Sequence, residues 1–81
     1  MSPDKLVMMA NQIGRFFVAQ GPDQAAQGTA EHIRQFWDPR MRAAILEHLA
    51  AGGEGLDPHV RRAVEMLRDG QAAAISSKPG Q

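Results

Sequence analysis

The stretch "FWDPRMRAAI", residues 36–45, holds the end of one helix and the start of another. An aspartate immediately before a proline and an apolar-periodic run is a helix start. The carboxylate accepts a first-turn N–H, and proline at the first helical position gives up a donor that had no partner anyway. Phe36 and Trp37 then belong to an incoming helix, and Met41, Ala44 and Ile45 to an outgoing one. Working outward, the same sign recurs at Ser2-Pro3 and Asp57-Pro58, with a weaker version at Gly21-Pro22-Asp23. "DPRMRAAI" and "DPHVRRAV" share the pattern Asp-Pro-x-apolar-Arg-x-Ala-apolar, which common capping chemistry explains better than duplication.

The stops are equally legible. Gly21, Gly52 and Gly70 each fall just beyond a periodic stretch, where a left-handed residue closes a helix. The spacing predicts helices over 3–19, 23–37, 39–50 and 58–68, and nothing alternates with period two, so no strand is expected. The fold class is all-α: a small bundle of about four short helices over residues 1–69, followed by a flexible tail over 70–81, where "GQAAAISSKPGQ" offers little apolar content.

The apolar stripes are Leu6, Met9, Ile13, Phe16 and Phe17 in the first helix, and Ala26, Ala30, Ile33, Phe36 and Trp37 in the second. Met41, Ala44, Ile45 and Leu49 follow in the third, and Val60, Ala63, Val64 and Leu67 in the fourth. Neighbours on a helix diverge by about 100°, so Phe16 with Phe17, and Phe36 with Trp37, cannot all enter one narrow seam. Each pair is expected to divide between the core and its edge. Gly14, one turn after Ala10, costs helix stability unless a neighbouring backbone approaches closely there.

Composition narrows function by exclusion. The chain has 81 residues and no cysteine, so zinc-thiolate, iron–sulfur and cysteine-nucleophile chemistry have no ligand or nucleophile in it. A domain of this size draws roughly 3–5 kcal/mol of net stability from its core. Nine Lys and Arg balance nine Asp and Glu and are spread along the chain, the wrong distribution for a nucleic-acid surface. No apolar run approaches the roughly 20 residues of a membrane span, and "MSPDK" lacks a signal-peptide pattern, so a cytoplasmic location is expected.

The reactive candidates each have a simpler structural reading. His32 and His48 follow glutamates, but adjacent residues face apart, whereas bundle metal sites use Glu and His three apart; they read as surface histidines. Asp38, between an aromatic pair and arginines, is the best general acid or base, yet helix capping suffices to explain it and Asp57 repeats that capping role. "AGGEG" lacks the Gly-Lys-Ser/Thr ending of a phosphate loop. No catalytic, cofactor-binding or metal-ligating residue is assigned, and a stand-alone enzyme or ligand-binding bundle ranks last. A small four-helix chain cannot hide every aromatic, so an apolar surface for a protein partner is expected. Its candidate residues are Phe16, Phe17, Phe36, Trp37, Arg40 and Arg42.

The segments "KLVMMANQIGRFF", "FWDPRMRAAI" and "HLAAGGEGLDPHVRRAVEML", in this order between Lys5 and Leu67, resemble the delta subunit of NAD-dependent formate dehydrogenases. The resemblance implies a place in a cytoplasmic, multi-subunit enzyme that oxidises formate with NAD. There the alpha subunit carries a molybdenum- or tungsten-pterin and iron–sulfur clusters, and beta and gamma carry FMN, the NAD site and further clusters. The implied role of this chain is accessory, without a cofactor of its own, supporting assembly or stability through contact with alpha. The alternative is a transient chaperone for cofactor insertion into alpha.

Overall fold

The computed structural model describes residues 2–70, and among these there is no strand. Helix α1 spans Pro3–Gln20, α2 Ala25–Phe36, α3 Pro39–Ala50 and α4 Pro58–Arg68, with a 3₁₀ turn at Pro22–Gln24 leading into α2. The bundle expected from the sequence is therefore present, with helix boundaries displaced by at most two residues. The expected tail lies, beyond Gly70, outside the described residues.

Proline opens α1, α3 and α4, but the caps differ. The Ser2 hydroxyl accepts from the Lys5 N–H (3.3 Å), and Asp38 Oδ1 accepts from the Met41 N–H (2.9 Å). Asp57 departs from the expectation that it repeats the role of Asp38, because its carboxylate makes no cap bond. Its N–H instead donates to Asn11 Oδ1 (3.0 Å), and its carboxylate lies 3.6 Å from Arg15 Nε. The tertiary partner holds this turn in place of the local one.

After α3, Gly53 N–H donates to His48 O (2.9 Å) and Gly52 N–H to Leu49 O (3.0 Å), the paired bonds of a Schellman stop, with φ of 124° at Gly52 and 66° at Gly53. Gly70 closes α4 in the left-handed region as expected. Gly21 does not: its φ of 170° is extended, and the 3₁₀ turn carries the reversal into α2.

Helix α2 packs against both α1 and α4, and α3 closes the bundle against the same two. The core joins Leu6 and Ala10 of α1, Ile33 of α2, Trp37 just beyond it, Ile45 and Leu49 of α3, and Val60 and Val64 of α4, all buried. Glycine permits the two closest approaches. A Cβ on Gly14 would overlap Val60 Cγ2, and one on Gly28 would stand 2.6 Å from Phe17 Cδ1. At Gly14 the close neighbour is the Val60 side chain of α4, where a neighbouring backbone was expected.

Two polar side chains tie the α3–α4 connection to the bundle. Asn11, buried in mid-α1, donates through Nδ2 to Gly55 O (2.9 Å) while its Oδ1 accepts from Asp57, satisfying both ends of the amide. The Arg61 guanidinium reaches back from α4 to the carbonyls of Gly52 and Gly53. His48 adds a contact of 2.7 Å from Nε2 to Glu54 O.

Candidate partner-binding surface

Helices α1 and α2 form an antiparallel hairpin, in which Phe17 lies over Gly28 and Gly14 sits beside Thr29. Along one side of their seam run aromatic side chains that the core does not absorb. Phe16 is 57% exposed and Phe36 is 69% exposed, while Phe17 is half-buried between the helices. The rings form a connected row. Phe16 meets Phe17 edge-on with centroids 5.1 Å apart, Phe17 meets His32 at 6.4 Å, and His32 lies against Phe36 at 4.7 Å.

Helix geometry extends this row along α1. Lys5, Met9 and Phe16 fall within about 40° of one another around the axis, with Ile13 next to them on the side of α2. Met9 and Ile13 are half-buried, touching the core with one edge, and Lys5 is exposed. The surface is therefore an apolar band whose inner edge is the core itself. At its base Phe17 lies against Gly28 of α2.

The structure separates the six expected contact residues. Phe16, Phe17 and Phe36 lie together in the row, and Arg40 is exposed at the start of α3, four residues beyond Phe36. Trp37 is only 5% exposed and belongs to the core cluster. The backbone leaves the helix at this residue (φ −85°, ψ 141°), which swings the indole inward while Phe36 stays outside. The Arg42 guanidinium is turned inward too, donating to Arg34 O (3.2 Å) and to Trp37 O, where it neutralises the carbonyl end of α2. Trp37 and Arg42 thus hold up the surface that the other four present.

The pattern reading missed His32, which is half-buried within the aromatic row instead of standing free on the surface. Its place one turn before Phe36 was the available signal. His48 is likewise half-buried through its loop contact, and His59 is exposed.

One hollow of about 330 Å³ brings titratable side chains together: Asp4, His48 and Glu54 line it with Val7 and Gly55. The hollow at the α1–α2 turn, about 420 Å³, is lined by Phe17, three glutamines, two glycines and Glu31. Among the described residues no three of His, Asp and Glu converge in a group able to hold a metal ion, and no helix is long and apolar enough to cross a membrane.

The described residues thus form a small all-α bundle with a row of aromatic rings along the α1–α2 seam. Residues 5–64 match the family described as the NADH-dependent formate dehydrogenase delta subunit, FdsD, and the chain belongs to that family. The match runs from Lys5 in α1 through α2 and α3 to Val64 in α4. No curated protein and no solved structure matches the chain. Membership places it as one subunit of a multi-subunit formate dehydrogenase.

Proposed function

We propose that this chain is a non-catalytic accessory subunit of a cytoplasmic NAD-dependent formate dehydrogenase, and that it supports assembly or stability of the complex by docking on the alpha subunit. The observation that supports the reading is the row Phe16, Phe17, His32 and Phe36, whose two end rings, Phe16 and Phe36, are exposed. Exposed aromatic rings grouped on one face are the composition of an interface centre. Arg40 stands at its rim, with Trp37 and Arg42 supporting it from within.

The cofactors of such a complex, a molybdenum- or tungsten-pterin, iron–sulfur clusters, FMN and NAD, belong on this reading to alpha, beta and gamma. This chain has no cysteine to hold a cluster, and among the described residues no three of His, Asp and Glu form a group that could hold a metal ion.

The test is retention. Purified through a tag on another subunit, fully active enzyme is expected to contain this chain in a fixed ratio to alpha. Fully active enzyme without it would overturn the structural-subunit role. Its presence only on immature alpha would favour transient chaperoning during cofactor insertion.

A further inference from the structure

We draw no further inference here: the strongest candidate, the row of aromatic rings Phe16, Phe17, His32 and Phe36 along the α1–α2 seam, belongs to the surface already described, and nothing in the structure shows what covers it.

Discussion

Replacing Trp37 and Phe36 by alanine, one at a time, sets two adjacent aromatics against each other. Trp37 is 5% exposed and packs in the core cluster with Leu6, Ile33 and Ile45. Removing a buried indole costs about 3–5 kcal/mol, through lost transfer energy and the cavity left behind. A domain of this size has about that much stability in total, so Trp37→Ala is expected to leave the isolated chain largely unfolded at room temperature. Phe36 is 69% exposed, which leaves about a third of it covered. At roughly 1.5–3 kcal/mol for burying a whole phenylalanine, its loss costs about 0.5–1 kcal/mol. Better helix propensity returns about 0.5 kcal/mol of that. Urea unfolding followed by helical circular dichroism measures both. Equal costs, or a Trp37→Ala chain within about 1 kcal/mol of wild type, would refute the placement of the indole in the core.

Asn11→Ala removes two bonds that cross to the α3–α4 connection, and is expected to cost about 2 kcal/mol and to speed hydrogen exchange at the Asp57 amide; wild-type exchange there would contradict the staple. Gly14→Ala puts a methyl group against the fully buried Val60, so overpacking outweighs the gain in helix propensity and the thermal midpoint falls by several degrees, roughly 4–8 °C per kcal/mol. Gly28→Ala meets the half-buried Phe17 ring, which can swing outward; stability is expected to stay within about 1 kcal/mol, while affinity for the partner falls because the row is displaced. Asp38→Ala loses a cap worth about 1 kcal/mol, whereas Asp57→Ala loses only a partly exposed ion pair and costs less; the order of the two, read from denaturation midpoints, checks the caps directly.

The helices were legible in the sequence because their signals are local. A Ser or Asp before proline, an apolar period of 3.6 and a glycine after the last turn act within a few residues. Gly14 was legible too, since a glycine inside a helix asks for a close neighbour. What stayed hidden depends on contacts far along the chain. Asn11 looks like an ordinary polar helix residue until Gly55 and Asp57 arrive beside it, and Asp57 looks like Asp38 until Asn11 takes its N–H. The division between Phe36 and Trp37 was expected, but which of them turns inward was not. Helical angles govern Phe36, while Trp37 has already left the helix and its direction is chosen by the core. Phe16, Phe17 and Phe36 could be read from the sequence but His32 and the row itself could not, because ring-to-ring contact between α1 and α2 requires the register of the hairpin, in which Phe17 lies over Gly28.

The central claim is that this chain holds a larger protein through an exposed aromatic band and does no chemistry. Its most direct measurement is the retention of a Phe16→Ser, Phe36→Ser double variant in formate dehydrogenase purified through a tag on another subunit. Two exposed interface aromatics at roughly 2 kcal/mol each predict about a thousandfold weaker binding, so a folded, fully helical variant is expected to be lost from the purified complex. Retention of that variant at the wild-type ratio would contradict the account.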